Sequence, residues 1–90
     1  MASNIAVAWL LEKDWKRWQE LDDQMPDYPR WLAKIESAIK QAEQAGATPV
    51  KVEVDPNTFV AWCNANGKTV GRESRAHYAA QILMNKLTAH

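Results

Sequence analysis

The one cysteine of this chain, Cys63, and one of its two histidines, His77, are residue types that nucleophilic catalysis uses. A thiol that lies beside an imidazole can be activated as a nucleophile. Cys63 nevertheless shares the apolar side of a predicted helix with Phe59, and free cysteine is among the residue types most often buried. No third group that would orient His77 is evident. We therefore interpret Cys63 as a core residue and keep a thiol-dependent enzyme as a less favoured alternative.

Asp22, Asp23 and Asp27 form a small acidic cluster of the kind that binds magnesium and diphosphate in some enzymes. Such sites need a second carboxylate cluster and a large cavity, and a chain of 90 residues with short helices is expected to have neither. We interpret the cluster as a solvated turn, with a basic partner surface as the alternative. Because no cysteine or histidine pair has ligand spacing, we predict no metal site and no cofactor.

The segment from Phe59 to Leu83 is predicted to be a helix, a glycine-containing turn and a second helix. Arg72, Arg75 and His77 would lie on the second helix, where a helix-turn-helix protein contacts phosphates and base edges. The C-terminal part is mildly basic, but the formal net charge of the chain is zero. Most DNA-binding domains carry more positive charge. Nucleic-acid binding through the two C-terminal helices is therefore an alternative function.

Aromatic side chains are the other residues that could form a binding surface. The chain has five tryptophans, which are Trp9, Trp15, Trp18, Trp31 and Trp62. Trp15 and Trp18 stand at helical spacing, which favours a place in the core, but a chain this small is not expected to hide all five rings. Exposed aromatic surface marks interfaces. Trp15 and Trp18, together with Tyr28, are therefore the candidate partner-binding residues.

Two alternating apolar runs are the strand-like segments that would position these residues. They predict strands over about 5–10 and 50–54. Alternation puts Ile5, Val7 and Trp9 on one face of the first strand, and it puts the three valines of the second run on one face of the second. Each run therefore fits one half of a covered sheet.

Apolar residues that recur every three or four positions predict helices over about 13–24, 28–45, 57–66 and 72–87. Asp27 and Asp55 precede two of these helices, where a side-chain cap is favoured, and Pro56 then suits a first helical position. Gly46 and Gly67 follow two of them, where a left-handed residue ends a helix.

The predicted fold class is α/β, with a single domain over residues 1–90 and the order β-α-α-β-α-α. If the two strands pair with each other, rather than with strands of a second copy, the helical crossover between them favours a parallel pair. Two strands alone make a poor sheet, because both edges are unpaired and the apolar face is small unless helices or another subunit complete it.

Several segments spread over most of the chain suggest a group of relatives: Ile5–Trp9, Trp15, Val52–Cys63, Gly67 and Arg75–Ala79. In these segments the chain resembles a group of small uncharacterised bacterial proteins. The resemblance implies a bacterial cytoplasmic protein and supplies no catalytic residue. The chain departs from the group at Gly71, where a capping aspartate is expected.

Composition limits the classes of function further. A single cysteine excludes an internal disulfide, and the N-terminal segment has neither the length of a membrane span nor the flanks of a signal peptide, so we predict a cytoplasmic protein and no membrane partner. An unpaired strand edge and excess aromatic surface are both relieved when a partner binds. We therefore predict a small protein-interaction or self-associating module without catalysis, with a homodimer or another protein as its partner.

Overall fold

A computed structural model describes residues 3–88. The elements are β1 (Asn4–Trp9), α1 (Trp15–Leu21), α2 (Tyr28–Gln44), β2 (Thr48–Glu53), α3 (Pro56–Ala65) and α4 (Arg72–Thr88). A 3₁₀ turn, Glu12–Asp14, leads into α1. The predicted α/β fold and its β-α-α-β-α-α order are confirmed.

The two strands pair in parallel along their whole length, from Asn4 opposite Thr48 to Trp9 opposite Glu53. Parallel pairing is therefore confirmed. In this register Ala6 lies beside Val50, and the even-numbered residues of both strands share one face of the sheet. The two apolar sets that alternation singled out consequently face opposite sides, because the set of β1 is odd-numbered and the set of β2 is even-numbered.

The even-numbered face of the sheet is covered by α4. Ala79 and Leu83 of α4 are buried in one cluster with Val52, and Ala6 and Ala8 pack against them. Small residues on β1 let the helix approach the sheet closely. The apolar face of α4 thus packs onto the side of the sheet that carries the valines of β2.

A second and larger core lies beyond the carboxyl ends of the strands. Its buried members are Leu10, Trp15, Trp18, Met25, Trp31, Val54, Phe59 and Cys63. Aromatic rings pack against one another through it, as in the tilted contact between Trp18 and Phe59, whose centroids lie 5.7 Å apart with an interplanar angle of 46°. Trp9 and Trp62 are half-buried at its margin.

The capping predictions for α2 and α3 are confirmed. The carboxylate of Asp27 accepts the backbone N–H of Arg30 at 3.2 Å, and that of Asp55 accepts the N–H of Thr58 at 2.9 Å. Hydrogen bonds from the backbone and hydroxyl of Thr58 also lower the pKa of Asp55 below its usual value. Gly67 takes the left-handed conformation after α3, with φ of 62°.

The first helix is shorter than predicted, since α1 ends at Leu21 rather than near residue 24. Asp22 adopts an extended conformation, and its side chain accepts the backbone N–H of Gln24 at 3.0 Å. An aspartate that binds nearby backbone in this way competes with helix continuation. The same carboxylate pairs with Arg75 of α4, which gives the chain a further reason to leave the helix here.

Candidate functional site

The residues predicted for thiol chemistry do not form a site. Cys63 is only 1% exposed inside the large core. His77 is exposed, and its ring stands edge-on to Trp62 with centroids 5.5 Å apart. None of the hydrogen bonds found within residues 3–88 joins Cys63 to His77. The arrangement supports the interpretation of Cys63 as a core residue.

The structure buries the aromatic residues that were candidates for partner binding. Trp18 is fully buried and Trp15 is 7% exposed, with its indole N–H donating to the carbonyl of Pro26 at 3.0 Å. Tyr28 is half-buried and packs edge-on to Trp15 at 5.2 Å. Trp15 and Trp18 therefore belong to the core and offer little surface to a partner, whereas Tyr28 packs against the core and stays partly exposed.

The three residues predicted for nucleic-acid contact do not form one exposed surface. The guanidinium of Arg75 is buried and donates to the carboxylate of Asp22 at 2.8 Å, whereas Arg72 and His77 are exposed. Arg75 is therefore held inside the molecule and not presented to a phosphate. Nucleic-acid binding stays a prediction, and the contacts among residues 3–88 do not favour it.

The surroundings of Asp22 affect the pKa of its carboxyl in two opposite ways. Burial by itself would raise the pKa of this carboxyl, but the hydrogen bond from Arg75, the backbone N–H of Gln24 and the charge of the guanidinium together lower it below the usual 3.8. Asp22 is thus ionised and tied to Arg75, and Asp27 caps α2. Within residues 3–88 no cluster of ligand side chains could hold a metal ion.

A groove of about 830 Å³ runs along β1 between α2 and the first turns of α4, and we call it the β1 groove. Its floor is the segment from Ile5 to Ala8. One wall is the apolar stripe of α2, which comprises Trp31, Ile35, Ala38, Ile39 and Ala42, and the opposite wall includes Arg72, Arg75 and Ala76. The groove exposes apolar surface, since Ile5 on its floor is 44% exposed.

The backbone of β1 has an unpaired edge in this groove. The carbonyls of Ser3 and Trp9 accept the N–H groups of Thr48 and Val54, so the odd-numbered residues of β1 direct their polar backbone groups to β2. The backbone N–H and C=O groups of successive residues in a strand point alternately to one side and to the other. Asn4, Ala6 and Ala8 therefore turn their N–H and C=O groups outward, and residues 3–88 contain no third strand to pair with them.

The two edges of the sheet differ in chemistry. The outer edge of β2 carries Pro49, which has no N–H to offer, followed by charged Lys51 and Glu53. Proline and charge are the usual means by which proteins prevent pairing at an edge. The ammonium of Lys51 lies over the ring of Trp9, 4.2 Å from its centroid. In contrast, β1 contains neither proline nor charge.

Beside the groove, α4 exposes a further apolar stripe. Ala76, Ala80, Met84 and Leu87 follow one another at spacings of four, four and three, so they share one side of the helix. Ala76 lines the groove, and Met84 and Leu87 are 65% and 58% exposed. The stripe therefore extends along α4 from Ala76 in the wall of the β1 groove.

The sequence predicted unpaired strand edges as a source of association, but we did not infer from it which of the two edges would bind a partner. Pro49, Lys51 and Glu53 were the available signal, because they mark β2 as the protected edge once parallel pairing is accepted. The apolar periodicity of residues 28–45 predicted a helix, but the sequence could not show that only part of its apolar face would be covered.

Compared with known proteins, the chain matches no family model, and no curated protein and no solved structure is significantly similar to it. The resemblance to small bacterial proteins therefore stays a prediction. No helix among residues 3–88 is long and apolar enough to cross a membrane.

Proposed function

We propose that this protein is an association module that binds an extended polypeptide strand along the outer edge of β1, in the β1 groove. The outward N–H and C=O groups of Asn4, Ala6 and Ala8 support this proposal most directly. A strand that added to this edge would complete their hydrogen bonds, and its side chains would contact the groove walls. Strand addition is a recurring mode of protein recognition.

The shape of the groove suits a strand. A strand added beside β1 would continue the sheet, with α2 on one face and α4 on the other. Alternate side chains of the added strand would then meet the apolar stripe of α2 and the stripe of α4 that begins at Ala76. We therefore expect the bound segment to have small or apolar side chains on both faces, without proline in its pairing positions.

The protected edge of β2 supports the choice of β1. Both edges of a two-stranded sheet could pair with another chain, but Pro49 and the charges of Lys51 and Glu53 disfavour pairing at β2. We also propose a reducing cytoplasm as the compartment, because Cys63 is a free thiol. The function needs no catalytic residue.

The state of the edge amides tests this function. We would measure amide hydrogen exchange of Asn4, Ala6 and Ala8 by NMR, alone and with a synthetic peptide of residues 3–11 as the strand probe. We expect these amides either to be protected in the pure protein or to shift and gain protection when the peptide is added. A scrambled peptide of the same composition is the control for the probe.

Unprotected edge amides that do not respond to the peptide would exclude strand binding. A matched pair of variants locates the effect. Ile5→Lys places a charge on the exposed floor of the groove and should abolish protection, whereas Thr48→Lys adds the same charge to the neighbouring strand at an exposed position and should leave it unchanged.

A further inference from the structure

We infer that the strand bound at this edge is β1 of a second copy, arranged antiparallel about a two-fold axis through Ala6; this inference rests on the proposed function. The product is a dimer with one continuous four-stranded sheet, in the order β2-β1-β1-β2. Two-fold dimers are the commonest closed assemblies, and each uses the same surface on both copies. The surface around β1 has the properties that such self-pairing demands.

Backbone geometry selects the register. In an antiparallel pair, residues whose polar groups point toward each other form the hydrogen-bonded pairs. With the axis at Ala6, this residue pairs with its own copy, and Asn4 pairs with Ala8 of the second copy. All the outward backbone groups of Asn4, Ala6 and Ala8 are then satisfied, which no other two-fold register achieves within this strand.

The side chains on the groove floor fit this register. Ile5 of one copy lies directly opposite Val7 of the other, on the face of the sheet that α2 covers only in part. Such non-hydrogen-bonded pairs bring side chains closest together, and apolar pairs in these positions stabilise a sheet. Ile5, which is 44% exposed in the single chain, becomes covered in the dimer.

The exposed stripe of α4 is complementary to itself. Ala79 and Leu83 pack in one cluster with Ala6 and Ala8, so Ala80 lies level with the middle of β1. The two-fold axis therefore brings Ala80 of the two α4 helices near each other, where small side chains permit close approach. Helices that cross antiparallel here place the large Met84 and Leu87 of one copy toward the small Ala76 of the other.

The distribution of charge is compatible with pairing between two copies. A two-fold axis sets the residues on and near the axis close to their own copies, so a charge there would meet a like charge. The segment Asn4–Trp9 and the stripe Ala76, Ala80, Met84 and Leu87 carry no charged side chain. Nothing in either surface opposes its own copy.

Mass in solution tests the dimer. Light scattering coupled to size-exclusion chromatography should give twice the 10.2 kDa of the single chain at micromolar concentration. Ala80→Glu should weaken association at least about tenfold because it sets two carboxylates together at the axis. Ala33→Glu makes the same change at an exposed alanine of α2 and should leave the mass unchanged.

Cysteine cross-linking tests the register. Ala6→Cys should form an intermolecular disulfide under mild oxidation, because the two copies of residue 6 are direct neighbours across the axis. Two copies of residue 7 lie roughly 8 Å apart in this register, so Val7→Cys should cross-link at least about tenfold more slowly. The wild-type protein, whose Cys63 is buried, is the control for background oxidation.

The outcomes separate this inference from the proposed function. A monomer whose edge amides respond to the peptide would overturn the dimer and leave a foreign strand as the occupant. If the amides are unprotected and do not respond, both ideas fail. A dimer that survives Ala80→Glu and Ile5→Lys, or that cross-links faster through Val7→Cys than through Ala6→Cys, would contradict the interface described here.

Discussion

At the scale of single residues, the contact between Asp22 and Arg75 has the largest consequences. It joins the turn after α1 to the start of α4, and both side chains are only 10% exposed. It also explains why two residues that suggested binding surfaces do not provide them. Because their side chains form a buried ion pair, Asp22 is not available to the acidic cluster and Arg75 is not available on the basic face of α4.

Removing the charge of Asp22 should destabilise the fold and change its response to acid. We expect Asp22→Asn to lower the free energy of unfolding at pH 7 by about 1–3 kcal/mol, because the guanidinium of Arg75 stays buried without an ionised partner. Asp23→Asn, at an exposed neighbour, should change it by less than about 0.5 kcal/mol. Urea unfolding monitored by tryptophan fluorescence measures both.

The pH dependence follows from the sign of the pKa shift at Asp22. Because folding lowers the pKa of this carboxyl, its contribution to stability is fully present above the ordinary value of 3.8 and is lost as the pH falls through the lower folded value. The difference between wild type and Asp22→Asn should therefore shrink below pH 4. A difference that stays constant from pH 7 to pH 3 would show that the charge of Asp22 does not stabilise the fold.

At the scale of elements, the start of α4 shows how a helix forms without its usual cap. Gly71 has no side chain to accept a backbone N–H, and the hydroxyl of Ser74 instead accepts the N–H of Gly71 at 2.9 Å and donates to the carbonyl of Thr69 at 2.7 Å. Ser74 thus supplies one of the two hydrogen bonds of a capping box, the one in which its side chain accepts the backbone N–H of the N-cap residue. The other, from the backbone N–H of Ser74 to an N-cap side chain, is missing because Gly71 has none.

Completing this box should stabilise the protein. We expect Gly71→Asp to raise the free energy of unfolding by about 0.5–1 kcal/mol, since its carboxylate could cap α4 and the unfolded chain loses freedom. Gly71 does not have a positive φ, and a Cβ built there meets nothing within 4 Å. The measurement should use the Ile5→Lys background, because Gly71 lines the β1 groove.

Gly67 provides the matched comparison. Its φ is 62°, so Gly67→Asp should lower the free energy of unfolding by about 0.5–1 kcal/mol through backbone strain. If the same substitution had the same sign of effect at both glycines, the capping explanation for Gly71 would be wrong.

At the scale of the whole molecule, the two faces of the sheet are covered unequally. The face of Ala6 and Val52 is packed under α4, whereas the face of Ile5 and Val7 leaves the β1 groove open beneath α2. A chain of 90 residues can build only a modest core, and exposed apolar surface of this extent reduces the benefit of folding. A second copy would cover it.

Stability should therefore depend on protein concentration. We expect the Tm of the wild type to rise by about 3–5 °C for each tenfold increase in concentration, because only the folded chain associates. The Tm of Ile5→Lys should be independent of concentration. Differential scanning calorimetry at protein concentrations from roughly 5 μM to 500 μM measures this dependence of the Tm. A wild-type Tm that does not move would argue against self-association.

Local patterns were sufficient for the elements. Alternation located β1 and β2 to within two residues at each end, and Asp27, Asp55 and Gly67 marked helix ends where the structure has them. These features depend on neighbours along the chain, so they can be read from the sequence. The early end of α1 could not, because Asp22 leaves the helix in part for Arg75, which is 53 residues away.

The order of the elements could be read from the amino-acid sequence, because periodicity and caps are local properties. Pairing of the two strands with each other could not, although the helical crossover predicted a parallel pair if they met. The three-dimensional arrangement was needed to show that Trp15 and Trp18 are core and that the apolar stripe of α2 faces an open groove. Those facts depend on strand register and on which distant surfaces meet, and many arrangements of the same elements share the same local pattern.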